Sequence, residues 1–355
     1  MNHSIFFYIS RKAIFLFWTG LIFLLIGEIT FRLPSAPQLI RYEFDEELVF
    51  RYAPNQTYTE FMGNYSIEIP PITIDKFGFR NRPIDWNRPI ILALGSSEVT
   101  GPGLKYDEIW TSLLTQLLDN GTKDTPLVVN TGVGGYGPYH QSVVLRRFLE
   151  KHKKPLLVIV RVSIGDRLFM PPTPEQLKIT KTLKIKKLIK ETSKFLPFLF
   201  KKVIAQIYAI KSTFSVNRED KVLSREYEKV EAAEKMWDQH EAYWVEIVNL
   251  CRKYNAPILF YIADHYDTPS GSRLFEKFKE GFYGSPFVSV FKIDQKHFGL
   301  FDKWLTDRRN KYKTCYTFGY DPHANSLQHR IIADSLFQYL KSNNLDLVGN
   351  DEPMK

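Results

Sequence analysis

One stretch of the sequence, Ile90 to Gly101, constrains the fold more than any other. It opens with an uninterrupted apolar run and then turns abruptly polar at Gly95, Ser96 and Ser97. A short apolar run bounded by turn residues is typical of a strand buried on both faces of a parallel sheet, and the Gly and Ser residues predict a sharp turn into a helix. Reactive groups in open α/β sheets lie at the carboxyl ends of strands, so Ser97 stands where a nucleophile would. The alternative is a simple polar turn, because short motifs also arise by chance.

The same strand pattern recurs along the chain. Further strands are predicted at 127–130, 156–162, 258–263 and 287–293, and apolar residues at helical spacing lie between them. Successive strand-turn-helix units predict an α/β domain with a parallel sheet, here of about five strands. Because the carboxyl ends of parallel strands meet at one edge of the sheet, the turns after the first three strands should lie close together.

The amino-terminal segment is the most apolar part of the chain. No charge occurs from Ala13 to Gly27, and Ile29 to Phe31 extend the run past Glu28. With tilt or snorkelling of its flanks, such a run spans a bilayer, so residues 1–33 are predicted to be a cytoplasmic tail and a transmembrane anchor that contacts the membrane through residues 13–31. Arg11 and Lys12 before the run place the amino terminus in the cytoplasm. A cleaved secretory signal is the alternative, but no suitable pair of small residues follows the run.

Composition divides the rest of the chain. Residues 34–86 are rich in Pro, Tyr and Asn and predict a lead-in segment of short strands and turns between membrane and domain. Residues 87–345 carry the α/β pattern, which residues 171–228 interrupt.

In the stretch from Glu175 to Lys211, ten Lys and two Glu give a net charge of +8, close to the +9 of the whole chain. Apolar residues alternate with these lysines, so the insertion is predicted to be basic, amphipathic and helical, lying in solvent, on an anionic bilayer or over the site.

The composition also narrows the cofactors and partners. Hydrophobic residues make up 44% of the chain and aromatic residues 15%, which is typical of a globular protein. Nucleic acid is not expected as a partner, because the basic segment contains no recognisable binding module and the anchor points to another compartment.

No spacing of His, Cys, Asp and Glu suggests a metal, and no Gly-rich loop ends as a nucleotide-binding loop does, so no cofactor is predicted. Cys251 and Cys315 are interpreted as buried free thiols, although they could pair in an oxidising compartment.

The residues that follow the predicted strands could together perform acyl transfer. Ser97 offers a hydroxyl nucleophile, and Gly135 lies in a loop whose backbone N–H is open to approach. Near the carboxyl end, His323 can accept the serine proton and Asp321 can orient the imidazole. His265, which follows the fourth strand, is the one rival base, although a polar turn at a strand end is the simpler interpretation of that position.

Taken together, these motifs resemble the SGNH (GDSL-like) hydrolase superfamily. The matching blocks, in chain order, are Leu94-Gly95-Ser96-Ser97, Asn130 to Pro138, and Asp321 to Asn325. The resemblance covers roughly residues 70 to 342 and implies a three-layer α/β/α, flavodoxin-like fold. It also implies an acyl-serine on Ser97 and an oxyanion bound by the backbone N–H groups of Ser97 and Gly135. The α/β-hydrolase fold is a poorer match, because the Gly that completes its nucleophile turn is missing after Ser97.

Three positions depart from the pattern of the family. Ser96 stands where the family usually has Asp, and Tyr320 stands where many members have the catalytic acid, so Asp321 is expected to take that role. The third departure is Asp166, which follows Gly165 where the family has an Asn that donates to the oxyanion. An ionised Asp donates nothing and would repel the developing charge, and losing one such donor costs about 100-fold to 1000-fold in rate. Asp166 could instead be protonated, be turned away, or hold Arg161 or Arg167.

The function expected from the resemblance is a membrane-anchored serine esterase that removes an acyl group, with acetyl as the first candidate, from a carbohydrate or lipid of the cell envelope. Its globular domain would lie outside the cytoplasm, in the periplasm of a bacterium. An O-acyltransferase would use the same site, with a sugar hydroxyl in place of water. The third alternative, motivated by Asp166, is a non-catalytic protein that binds envelope material on the same scaffold.

Overall fold

The structure, a computed structural model, describes residues 2–32, 40–58, 71–152, 154–163, 165–166, 230–262, 269–293 and 326–343. In chain order the helices and strands are α1 (Asn2–Arg32), β1 (Tyr42–Asp45), β2 (Val49–Tyr52), β3 (Gln56–Tyr58), β4 (Ile72–Ile74), β5 (Ile90–Leu94), α2 (Ser97–Thr100), α3 (Trp110–Leu118), β6 (Leu127–Asn130), α4 (Pro138–Lys151), β7 (Leu157–Val162), α5 (Val230–Lys253), β8 (Ile258–Ile262), α6 (Pro269–Gly281), β9 (Val288–Lys292) and α7 (Ser326–Ser342). The predicted basic insertion at 171–228 lies outside the described residues.

A five-stranded sheet forms the centre of the domain. All neighbouring strands are parallel, and their order across the sheet is β6-β5-β7-β8-β9. Counted from β5 as the first strand, this is the flavodoxin-like order, in which the chain leaves the first strand in one direction and later returns to its other side. The register pairs Ala93 with Asn130 and Leu94 with Val160, so the carboxyl ends of β5, β6 and β7 lie side by side. The predicted fold class is confirmed.

Helices cover both faces of this sheet. Alternate residues of the strands point to opposite faces. Leu92, Val158 and Phe260 are fully buried in a core shared with α4, α5 and α6. On the other face, Ile91, Ile159 and Leu259 are equally buried against α3 and α7. Burial on both sides explains why the strands are continuous apolar runs and confirms three layers.

The described part of the lead-in segment packs into the same core. It forms two antiparallel pairs, β1 with β2 and β3 with β4. Tyr58, Ile72 and Ile74 are each 1% exposed and belong to the core cluster on the α4 face. The lead-in segment is therefore part of the folded body, and its position determines what surrounds the turns at the edge of the sheet.

A polar turn at the end of the lead-in segment holds two loops of the α/β domain. Arg80 is 2% exposed, and its guanidinium donates to the carbonyl oxygens of Thr100 (3.1 Å), Gly101 and Leu104. Asn81 bonds the backbone of Asn130 in both directions, donating to its carbonyl and accepting from its N–H at 2.9 Å each. The first contact fixes the chain after α2 and the second fixes the end of β6, so both loops beside Ser97 are braced from outside the sheet.

Helix α1 stands apart from the packed core. Its window from Ala13 to Thr30 has a mean hydropathy of 2.0, and none of it is buried. At 1.5 Å per residue the helix extends roughly 46 Å, more than the hydrocarbon core of about 30 Å. The helix is thus long and apolar enough to cross a membrane, criteria that a secretory signal near the amino terminus also meets.

The brace made by Asn81 predicts a measurable contribution to stability. Replacing Asn81 by Ala leaves a buried N–H and a buried carbonyl of Asn130 without their partner, so the free energy of unfolding should fall by about 2–4 kcal/mol. Denaturant unfolding measures this quantity. Asn87 is exposed and bonds only within its own turn, so Asn87→Ala is the matched control and should change stability by less than about 0.5 kcal/mol. Equal losses in the two variants would contradict the assigned role.

Candidate active site

Ser97 is the first residue of α2, directly beyond the carboxyl end of β5. The chain reverses there within a few residues, because α2 is a single turn that ends at Gly101. Gly95 makes this reversal possible, since a Cβ at that position would lie 2.3 Å from Cγ2 of Val99. Ser96 is buried, whereas Ser97 is only half-buried. The turn therefore presents Ser97 rather than Ser96 at the edge of the sheet, as the sequence predicts.

The loop after β6 packs directly against this turn. A Cβ at Gly132 would lie 2.9 Å from the carbonyl oxygen of Ser96 and 2.7 Å from the backbone nitrogen of Thr100, so only glycine allows the approach. Thr131 donates its backbone N–H (2.9 Å) and its hydroxyl (2.8 Å) to the carbonyl of Ala93, which fixes the loop to β5. Two turns of the predicted site are consequently in backbone contact.

Further along this loop, Gly134 borders Ser97. A Cβ placed on Gly134 would lie 3.7 Å from Cβ of Ser97, so the two residues are neighbours. Gly135 follows with φ of +88°, a left-handed backbone that favours glycine. The predicted oxyanion donor is thus one residue from the point where the loop meets Ser97. The assignment of its N–H to an oxyanion stays a prediction.

The hairpin of β1 and β2 supplies a wall of the site that sequence reasoning missed. The hydroxyl of Tyr52 accepts a hydrogen bond from the N–H of Gly134 at 3.2 Å. A Cβ placed on Gly134 would lie 3.7 Å from Cβ of Ser97 and 3.5 Å from the hydroxyl oxygen of Tyr52. Tyr52 and Ser97 therefore border the same space. Phe50 covers the next residue, with its ring 3.4 Å from where a Cβ of Gly135 would stand. No local pattern around 50–52 shows this role, because it arises from the packing of a distant hairpin.

Ion pairs hold the hairpin in place against α4. Arg147 bonds Asp45 at 2.7 Å and 2.9 Å and also contacts Glu47. Burial opposes the charge on Asp45, but the bonds from Arg147 and from backbone N–H groups prevail and hold its pKa at about 2. Both partners therefore stay ionised throughout the neutral range, and the hairpin keeps its position over the loop.

Two aromatic residues support the far end of the same loop. Tyr136 donates its hydroxyl to the carbonyl of Phe50 at 2.8 Å, which links the loop to the hairpin again. His140 stacks on the Tyr136 ring and accepts from the N–H of Gly137 at 3.3 Å. Burial lowers the pKa of His140 to about 4, so its ring is neutral at pH 7 and Nδ1 can accept this bond. His140 is therefore a satisfied structural histidine.

Asp166 is held in a buried ionic cluster behind the nucleophile turn. Its side chain is 2% exposed, and its two carboxylate oxygens accept hydrogen bonds from Nη1 of Arg161 at 3.2 Å and 3.4 Å. One of its oxygens also accepts from the N–H of Ser163 at 2.9 Å. Arg161 further contacts Glu98 and the hydroxyl of Ser96. The charge of Asp166 is thus compensated by Arg161, one of the two arginines that the sequence suggested. The sequence signal for the cluster was an arginine within the apolar strand β7.

The predicted base and acid, His323 and Asp321, lie outside the described residues, as does the rival base His265. Helix α7 begins at Ser326, three residues after His323. Its first turn is fixed by His329, whose Nδ1 accepts from the N–H of Trp110 at 3.0 Å. Trp110 is the first residue of α3, the helix that follows the nucleophile turn. The described start of α7 therefore lies beside the helix that leads away from Ser97.

No known family profile matches the sequence, and no curated protein matches it. Several solved structures resemble the fold. A lipolytic protein of the G-D-S-L family from Veillonella parvula is 10% identical, with a TM-score of 0.40, covering 72% of this chain and 98% of that one. A psychrotrophic esterase from Pseudoalteromonas is 14% identical, with a TM-score of 0.41 and coverage of 72% and 99%. An acetyl xylan esterase is 12% identical, with a TM-score of 0.38 and coverage of 71% and 99%.

The Veillonella protein carries the name of the G-D-S-L family, which the sequence motifs of this chain resemble. Another similar structure is an esterase of the SGNH-hydrolase family, 14% identical with a TM-score of 0.35. Identities and TM-scores this low carry no argument about activity. The strand order of this chain, and the turns that its first three strands deliver to one edge, show the flavodoxin-like fold by themselves.

The contact between Tyr52 and Gly134 predicts a local effect. Tyr52→Phe keeps the ring but removes the acceptor of the Gly134 N–H, so the free energy of unfolding should fall by about 1–3 kcal/mol and the Gly134 amide should exchange with solvent faster. Hydrogen-exchange mass spectrometry of the 132–137 loop, together with denaturant unfolding, measures both effects. Tyr42 lies exposed on the same hairpin, and Tyr42→Phe is the control that should change neither. Unaltered exchange in Tyr52→Phe would show that the hydroxyl does not hold the loop.

Proposed function

We propose that this protein is a membrane-anchored SGNH-type serine esterase that removes acyl groups, acetyl first among them, from a carbohydrate or lipid of the cell envelope. The observation that carries the proposal is the position of Ser97. It is half-buried on a one-turn helix at the carboxyl end of the first strand of the sheet, and the Gly134-Gly135 loop borders it. The crevice outside these strand ends, where the strand order reverses, is where α/β sheets of this kind bind ligands.

The proposed reaction has two steps. In the first, Oγ of Ser97 attacks the carbonyl carbon of the substrate ester while His323 takes the hydroxyl proton and Asp321 orients the imidazole. The backbone N–H groups of Ser97 and Gly135 stabilise the oxyanion, and the alcohol leaves with the proton from His323. In the second, His323 activates a water that attacks the acyl-serine, releasing the carboxylic acid and restoring Ser97.

The described end of the chain supports the roles given to His323 and Asp321. Parallel strands place the beginnings of their following helices at the carboxyl edge of the sheet. The bond between His329 and the first residue of α3 brings the first turn of α7 to that same end. The start of α7 therefore lies at the edge that carries Ser97, which supports a role as the base for His323, three residues earlier in the sequence.

The lead-in hairpin supports a small acyl group. Phe50 and Tyr52 pack on the Gly134-Gly135 loop, and the hydroxyl of Tyr52 borders the space beside Ser97. A long acyl chain would have to avoid these rings, whereas an acetyl group would not.

The anchor formed by α1 and a globular domain outside the cytoplasm would bring this site to envelope material, with water as the acceptor. Transfer to a sugar hydroxyl would need only a second alcohol in the place of that water.

The assignment of Ser97 predicts the outcome of an ester-hydrolysis assay. With p-nitrophenyl acetate as substrate, Ser97→Ala should lower kcat/KM by at least about 1000-fold, because the acyl-serine cannot form. The release of p-nitrophenolate measures the rate. Ser342→Ala removes an exposed hydroxyl at the end of α7 and is the matched control, with the rate of the parent.

Two outcomes of this assay would contradict the proposal. Hydrolysis that survives in Ser97→Ala would assign the chemistry to another residue. A parent protein without Ser97-dependent hydrolysis of any acetyl ester, including acetylated envelope polysaccharide assayed by released acetate, would favour the non-catalytic binding protein. Product that appears on an added sugar instead of as free acetate would identify an acyltransferase.

The proposed anchor predicts how the native protein leaves a membrane. Detergent should release it and a wash with about 1 M salt should not, because apolar burial of α1 is insensitive to the screening that weakens contacts between lysines and anionic lipid. Immunoblotting of the washed membranes measures the release. A chain without residues 1–33 is the control and should appear in the soluble fraction. Complete release of the full chain by salt would show that charge, not α1, attaches it.

A further inference from the structure

Arg161 connects two turns of the candidate site. It lies near the carboxyl end of β7, and its side chain is 5% exposed. Its guanidinium reaches the nucleophile turn through Ser96 and Glu98 and the next turn through Asp166. One rigid planar group thus joins the two short turns, and its several donors suit such a junction.

One nitrogen atom of this guanidinium serves both turns. This nitrogen, Nη1, lies 3.2 Å from the hydroxyl oxygen of Ser96 and 3.2 Å from Oδ1 of Asp166. Ser96 is 3% exposed and Asp166 is 2% exposed, so neither group has bulk water as a substitute partner. Positions 96 and 166 therefore contact the same nitrogen atom of one buried cation.

Asp166 uses both oxygens of its carboxylate in this arrangement. Nη1 of Arg161 donates to both oxygens, and Oδ2 also accepts a hydrogen bond from the N–H of Ser163. An asparagine has only one acceptor oxygen, so its NH2 group would oppose either the guanidinium or the Ser163 N–H, both of which are donors. The structure requires a carboxylate at 166, and an amide there would leave a donor facing a donor.

We infer that Arg161 is a positioning residue for the nucleophile turn, and that positions 96 and 166 share a single buried carboxylate through it. The inference rests on the proposed function, because it explains how the turn that carries Ser97 is held for catalysis. Asp166 then serves as the counter-ion of Arg161 and not as part of the oxyanion site. The carboxylate at 166 is consequently required for full activity, and an amide there does not improve the enzyme.

A double-variant cycle tests this inference. Asp166→Asn removes the carboxylate, and Ser96→Asp adds a second one beside the first. Each single change should lower kcat for p-nitrophenyl acetate by about 10-fold to 100-fold with little change in KM, since a displaced nucleophile affects the reaction more than binding. The double variant, Ser96→Asp with Asp166→Asn, places the carboxylate at position 96, beside the same Nη1 of Arg161, and should recover kcat to within about threefold of the parent. Asp124→Asn removes an exposed carboxylate and is the control for charge alone.

The thermal unfolding midpoints of the same proteins separate this inference from the proposed function. Both single variants should unfold at lower temperature than the parent, and the double variant should recover. If the parent shows no Ser97-dependent hydrolysis, the proposed function fails, and the unfolding cycle alone decides whether the carboxylate is shared. An increase of kcat in Asp166→Asn would overturn the inference, as would a double variant that is no more active and no more stable than the weaker single variant.

Discussion

The close approach of two backbone turns at one edge of the sheet is the contact on which the rest of the site depends. The turn from β5 into α2 and the loop after β6 approach closely at Gly132, because a Cβ there would lie 2.7 Å from the backbone nitrogen of Thr100 and 2.9 Å from the carbonyl oxygen of Ser96. Any larger residue would force backbone atoms apart, and backbone is the part of a packed structure that yields least. Ser97 takes its position from this contact, and Gly134 follows two residues after Gly132 to reach it.

The lead-in segment gives this edge its outer support and links it to α1. Arg80 fixes the chain after α2, Asn81 fixes the end of β6, and Tyr52 fixes the loop that follows β6. Helix α1 ends at Arg32 and β1 begins at Tyr42, so the hairpin that walls the site is at most about 35 Å of extended chain from the end of α1. If α1 spans a membrane, the site therefore operates close to the membrane surface, within reach of lipids and of polymers attached there.

The sequence predicted the fold more completely than the site. Apolar runs such as Ile90–Leu94 and Leu157–Val162 can be recognised because strands buried on both faces have no polar face to interrupt them. The turn at Ser97 was also predictable, since glycine and serine after such a run have few other structural meanings. Tyr52 was not, because its contact with Gly134 joins residues 82 positions apart and depends on how a hairpin packs.

Asp166 shows a different limit of sequence reasoning. Considered alone, it stands where a negative charge would oppose the reaction. In the fold it lies against Arg161, five residues earlier at the end of the same strand, and its charge is used to hold that arginine. The identity of a residue gives its chemistry, whereas only its neighbours decide whether that chemistry is directed at a substrate or at the protein itself.

The central claim is that Ser97 is an activated nucleophile, and covalent labelling tests it most directly. A fluorophosphonate reacts with serine nucleophiles that have a positioned base and leaves ordinary hydroxyl groups unmodified. Incubation of the full-length protein in detergent, followed by intact-mass measurement and peptide mapping, should find one adduct per chain, located on Ser97. Absence of an adduct, or an adduct on any other residue while Ser97 stays unmodified, would contradict the account.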